Sequence, residues 1–202
     1  MSEILLPELK RSTVQIKIVG DSPLIVHHWS KKAKKEMLDK QMKKPKQGRE
    51  AKDPFQDYVD SMYWITPQPP AAKLTPKAVE SATFGFPTVA FKAAAVRAAT
   101  DAGLKMTDAR RAFHIDGEIA TIEGTPSMRE DMVRIGPGMA DIRYRGQFEN
   151  WSVVLTINYN STAMSLEQII NLFEIAGFGV GVGEWRPEKS GSNGRFHVSR
   201  GE

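Results

Sequence analysis

Cysteine is absent from this 202-residue chain. Disulfides, thiolate zinc sites and cysteine nucleophiles are excluded with it, and the absence fits a reducing compartment. Histidine is scarce: His27, His28, His114 and His197 are the whole supply, without zinc-ligand spacing. No apolar run approaches the length of a membrane span. The N-terminus, MSEILLPELKRST, lacks the basic-then-apolar order of a signal peptide. No Gly-Lys-Ser/Thr follows a glycine cluster, so there is no Walker loop. The expectation is a cytoplasmic protein with no membrane partner, no metal and no cofactor.

What is present is ordinary for a folded chain: 41% hydrophobic and 26% charged residues, enough for one domain over 1–202 with a real core. The net charge of +4 is unevenly placed. From Lys31 to Lys52 there are ten lysines and arginines (Lys31, Lys32, Lys34, Lys35, Lys40, Lys43, Lys44, Lys46, Arg49, Lys52) against Glu36, Asp39 and Glu50. That stretch carries +7 and the remainder −3. A block this local suits a polyanion partner, although a solvated helix face explains it as well.

Patterning supplies the elements. Val14, Ile16 and Ile18 alternate over 12–19, a half-buried strand, and LIVHHW (24–29) continues as a short extended piece. The basic block reads as one or two polar helices or an arm, interrupted at Pro45 and Gly48. Residues 53–65 read as a helix capped by Asp53, and 66–76 as a Pro-rich connector. Over 86–103 a helix would bury Phe91, Ala94, Ala95 and Ala98 and leave Lys92 and Arg97 off that face. IRYRGQF and WSVVLTINY read as two strands joined in a hairpin at Glu149-Asn150. Ser165 and Gln168 form a capping box that opens a helix ending at Gly177, and 194–199 is a last strand. With insertions at roughly 20–85 and 104–140 set aside, the order is that of an α+β, ferredoxin-like (RRM-like) βαββαβ core.

The run GFGVGVGEWRPEKSGSNGRF (177–196) follows a helix and precedes a strand, the reverse of a dinucleotide-binding turn. Glycines at alternate positions permit either a loose loop or a backbone that something approaches closely. The second reading makes Gly179, Gly181 and Gly183 a nest of N–H groups for phosphate, with Arg186, Lys189 and Arg195 beside it. Arginines at 110, 111, 134, 143 and 145 interleave with Phe113, Tyr144, Phe148 and Trp151. On one sheet face that set would hold single strands by stacking; alternation between core and water explains it equally. His27 and His28 are weak candidates for a general base, and Asp21 for orienting a metal or a 2′-hydroxyl.

Two stretches together resemble the RAMP superfamily, the CRISPR-associated RNA-binding proteins. Phe86-Pro87-Thr88-Val89-Ala90-Phe91-Lys92-Ala93-Ala94-Ala95-Val96-Arg97 places Pro, Lys, small residues and Arg at the offsets of that superfamily's IPGSSLKGALR segment. The 177–196 run resembles its glycine-rich loop, with looser spacing and without its second aromatic. The resemblance implies a non-enzymatic backbone subunit that polymerises along single-stranded RNA, with other CRISPR effector subunits as partners, and kinks the strand with a protruding thumb. Lys92 and Arg97 would then approach the RNA backbone, joined by Lys31, Lys32, Lys34, Lys35 and the glycine loop. The alternatives are a phage relative that binds single-stranded DNA or inhibits a CRISPR system, a metal-independent endoribonuclease, and a protein-interaction module.

Overall fold

The alternation around Ile16 and Ile18 becomes β1 (Arg11–Gly20), with both side chains buried and Thr13, Gln15 and Lys17 exposed opposite them. In a computed structural model, which describes residues 8–45, 51–136 and 138–199 and only the backbone of Lys31 and Ile135, sixteen helices and strands follow the chain. After β1 come β2 (Leu24–Val26), α1 (Lys31–Gln41), α2 (Pro54–Asp60), β3 (Tyr63–Trp64) and α3 (Pro76–Glu80). Then follow β4 (Phe84–Pro87), α4 (Thr88–Ala98), α5 (Met106–Ala112), β5 (Phe113–Ile115) and β6 (Ile119–Glu123). The last are β7 (Pro126–Gly136), β8 (Met139–Phe148), β9 (Ser152–Asn160), α6 (Leu166–Gly179) and β10 (Phe196–Val198). Lys46, Gly48 and Arg49 of the basic block, and residues 1–7 of the N-terminal stretch, lie outside the described residues.

The chain is α+β with two antiparallel sheets. The larger runs β10-β1-β9-β6-β4-β3, with β5 also paired to β9; the smaller is β2-β8-β7. One face of the larger sheet is apolar and takes α4 and α6. Phe91 of α4 meets Phe86, Trp151 and Phe196 at ring-centroid separations of 5.9, 6.4 and 5.8 Å. Phe173 of α6 meets Phe113 at 5.8 Å. These edge and tilted contacts are the favoured geometry for stacked apolar rings. The small residues Ala94, Ala95 and Ala98 are buried as expected, which lets α4 lie close to its neighbours. The other face is a polar ladder. Thr13 Oγ1 donates to Asn158 (2.5 Å), Lys17 to Glu123 (2.9 Å) and Ser152 to Glu123 (2.5 Å).

Several expected elements are displaced. The helix expected over 53–65 stops at Asp60, and Tyr63–Trp64 pairs with β4. The helix expected from 86 starts at Thr88, because Phe84–Pro87 is already paired with β6 and β3. Pro87 fixes the strand's exit, and Thr88 Oγ1 donates to the Gly117 carbonyl at 2.5 Å. The hairpin expected at Glu149-Asn150 is not one. Those residues carry the chain from the small sheet to the large one, and β8 pairs instead with β7 and β2. The stretch 104–140, expected as an insertion, contributes β6 to the main sheet. The capping box is present, with Gln168 N–H donating to Ser165 Oγ at 3.2 Å, and α6 runs two residues beyond Gly177.

Candidate nucleic-acid interface

Strand β2 delivers His27 to the junction of two clefts. Ile25, two residues earlier, accepts a hydrogen bond from the Glu184 N–H (3.0 Å), so the glycine-rich segment is zipped against the end of β2. This places the Glu184 carboxylate 3.3 Å from His27 Nδ1. The His27 hydrogen bond, with Arg145 and Arg186 nearby, holds the Glu184 carboxyl below its ordinary range although burial opposes the shift. A cleft of about 280 Å³ lies on one side, between Ala90, Ala93 and Ala94 of α4 and the 180–188 segment. A larger one of about 430 Å³ lies on the other, between α1 and β8, over Asp57 and Ser61. His27 lines both.

His28 turns to other company, as adjacent residues of an extended segment must. Its ring sits edge-on to Tyr63 at 4.8 Å. Burial, then the Lys34 charge, pushes its pKa down, so it is neutral at pH 7. Asp21 pairs with neither: its Oδ1 is 2.6 Å from His197 Nδ1, a half-exposed pair at the edge of the main sheet.

The glycine run proves to be packed against the protein's own backbone. A Cβ at Gly177 would fall 1.8 Å from the Phe196 carbonyl, and one at Gly183 would fall 2.5 Å from that of Ile25. At Gly194, where φ is +66°, it would fall 1.7 Å from the Val182 carbonyl. The N–H groups are also engaged. Those of Val180 and Gly181 donate to Ala176, Val182 to Gly194 and Gly194 to Pro23. The expected phosphate nest loses two of its three glycines: the Gly181 N–H is spent on the Ala176 carbonyl, and Gly179 belongs to α6.

The cations fall into separate groups. Arg97 and Arg186 converge on Glu188, at 3.6 and 2.9 Å, beside exposed Lys189. Lys92 is half-buried 3.0 Å from His114, and burial followed by the Arg110 charge lowers its pKa. Arg195 folds back on the Ser192 carbonyl (3.2 Å). Lys32, Lys34 and Lys35 are exposed on α1, a helix begun by Ser30 capping the Ala33 N–H at 3.1 Å. The interleaved arginines and aromatics follow the other reading, alternation between core and water, at four positions. Phe113, Phe148 and Trp151 are core residues, and Arg145 is buried against Asp131 at 2.9 Å.

Sequence patterning missed the β7–β8 hairpin and the residues it brings in. Met128, Met132 and Met139 stand on it 52–74% exposed. Its base is tied to the glycine-rich loop, since Trp185 Nε1–H donates to Asp131 Oδ2 at 3.3 Å from a backbone with φ of +55°. Such a φ is strained for a bulky residue. Phe178 stands 78% exposed at the end of α6. Among the described residues no helix is long and apolar enough to cross a membrane. Compared with protein-family models and with curated proteins, the sequence matches none.

Proposed function

We propose that this protein binds single-stranded nucleic acid, RNA in preference to DNA, as the repeating subunit of an array along the strand. The observation that carries the reading is the larger cleft. The lysine-rich α1 forms one bank, β8 of the exposed-methionine hairpin the other, and His27 joins it to the second cleft beside Arg186. Cations that follow phosphates, next to apolar and aromatic groups that meet bases, suit an unpaired strand. The RAMP resemblance gains support from topology. Strands β1, β6, β9 and β10 with helices α4 and α6 follow a βαββαβ order, and we read them as a ferredoxin-like core. In that reading β7–β8 is the protruding thumb.

The test is fluorescence anisotropy of labelled oligouridylate and oligothymidylate, titrated at several salt concentrations. Lys34→Ala/Lys35→Ala should weaken binding to every sequence alike and reduce the slope of log K against log salt by about 1.4, two single-strand phosphate contacts. A loss confined to one sequence, or a slope that does not move, contradicts backbone tracking by α1.

A second reading has one specific observation behind it. The carboxylate of Glu184 orients the His27 imidazole at a cleft junction, the arrangement a general base requires. An endoribonuclease working there would lose cleavage in His27→Ala while retaining binding. A protein that binds RNA and leaves it intact removes this reading and leaves the first.

A further inference from the structure

The larger cleft is lined by two residues of opposite charge, each with a polar group that has no hydrogen-bond partner among the described residues. Arg145 of β8 is 4% exposed and lines the cleft; its Nη1 donates to Asp131, but its buried Nε–H has no acceptor among the described residues. A buried donor without a partner is costly, and such exceptions call for an explanation. Asp57 of α2 lines the same cleft, and its carboxylate accepts no hydrogen bond among the described residues. Burial raises the Asp57 pKa despite the Lys52 and Lys32 charges, as expected of a carboxylate short of donors. Trp29, 55% exposed, and Tyr144 supply rings on the walls, and Arg143 supplies a second guanidinium.

We propose that this cleft is a site for one guanine base. Its volume of about 430 Å³ admits a purine nucleotide. Guanine shows two N–H donors next to the O6 acceptor on one edge and adds N7 on the next. A carboxylate meets the donors, guanidinium groups meet O6 and N7, and an indole ring offers a face for stacking. Adenine and cytosine each offer the carboxylate one amino group with a ring-nitrogen lone pair beside it, so only one carboxylate oxygen is met and the other faces a lone pair. Uracil offers it a single N–H flanked by two carbonyl oxygens. The inference rests on the strand-binding reading for one source of the base, a guanosine within the strand. A free guanine nucleotide shares the chemistry and is the other source.

The experiment is titration of the whole protein with GMP, AMP, CMP and UMP, followed by calorimetry and by tryptophan fluorescence. Oligouridylate, with and without one central guanosine, is titrated in parallel. GMP should bind about tenfold or more tightly than the other three, and Asp57→Asn should abolish that preference. Trp29→Phe should remove the fluorescence response and keep the calorimetric one. Asp57 makes no side-chain hydrogen bond among the described residues, so an unchanged melting temperature will certify the fold of that variant. Equal affinity for the four nucleotides, no binding of any, or a preference that survives Asp57→Asn overturns the proposal. Salt-dependent oligouridylate binding with no nucleotide preference sinks the guanine site and leaves the strand reading. GMP binding without strand binding does the reverse.

Discussion

Asp131 shows how much one buried carboxylate can hold. It accepts from Arg129 (2.8 Å), Arg145 (2.9 Å) and Trp185 (3.3 Å), linking both strands of the hairpin to the glycine-rich loop. Burial alone would push its pKa up; the Arg129 and Arg145 hydrogen bonds prevail and hold it below the ordinary carboxylate range. Asp131→Asn leaves Arg145 buried without its counter-ion, so chemical denaturation should show a loss of about 3 kcal/mol. At Gly194 the backbone has φ of +66° and a Cβ would meet the Val182 carbonyl. Gly194→Ala should therefore destabilise by at least about 2 kcal/mol, read the same way. The sequence shows at these glycines that something approaches closely. It cannot show that the visitor is Val182 or Ile25 from the same chain, because that depends on where β2 and β10 lie. For the same reason nothing in the sequence joins Asp131 to Arg145, fourteen positions away.

Among the elements, α1 and the β7–β8 hairpin carry the functional argument in different ways. Helix α1 carries exposed Met37 and Leu38 among its lysines, with Met42 exposed at its C-terminal cap; what the lysines contribute to strand binding is electrostatic and disappears with salt. The hairpin contributes apolar area at its exposed methionines. Met132→Asp/Met139→Asp should weaken binding of single strands by repelling phosphate and removing that surface. Its melting temperature should stay within a degree or two, since both side chains are well exposed; anisotropy and a thermal melt check the two halves. The single-element signals that could be read were the local ones: the Ser165–Gln168 capping box, the Asp53 cap and the alternation of β1. Strand pairing was not legible. The alternation in 142–148 suits pairing with the strand before it or the strand after it. In the smaller sheet Gly146 pairs with Met128 of β7 and Val26 of β2 and lies against Met62, where a Cβ would fall 2.6 Å from Met62 Cγ. That packing, invisible in the sequence, commits β8 to the smaller sheet.

At the scale of the whole molecule, the shifted groups predict how stability follows pH. His28, Glu184 and Asp131 all titrate below their ordinary values in the folded protein. The unfolded chain then binds more protons than the folded one as pH falls, and stability is lost. The loss should begin near pH 6.5, the ordinary histidine value, and deepen through the carboxylate range. Asp57, raised by burial, works in the opposite sense. A melt series from pH 8 to pH 4 should show a falling midpoint, with a shallower fall in Asp131→Asn. The architecture also explains why the candidate site was only half visible beforehand. Lys32 was countable in the sequence, but the cleft it lines exists only because α1, α2 and β8, with lining residues from 27 to 145, meet beside His27.

The most direct test of strand binding is the state of the protein as purified at low salt. Its 260/280 nm absorbance ratio and native mass would be measured before and after separate RNase and DNase treatment. The account predicts a large assembly carrying nucleic acid that RNase removes, with the mass falling as the RNA is digested. A nucleic-acid-free monomer that also fails to bind added single-stranded RNA or DNA would contradict it.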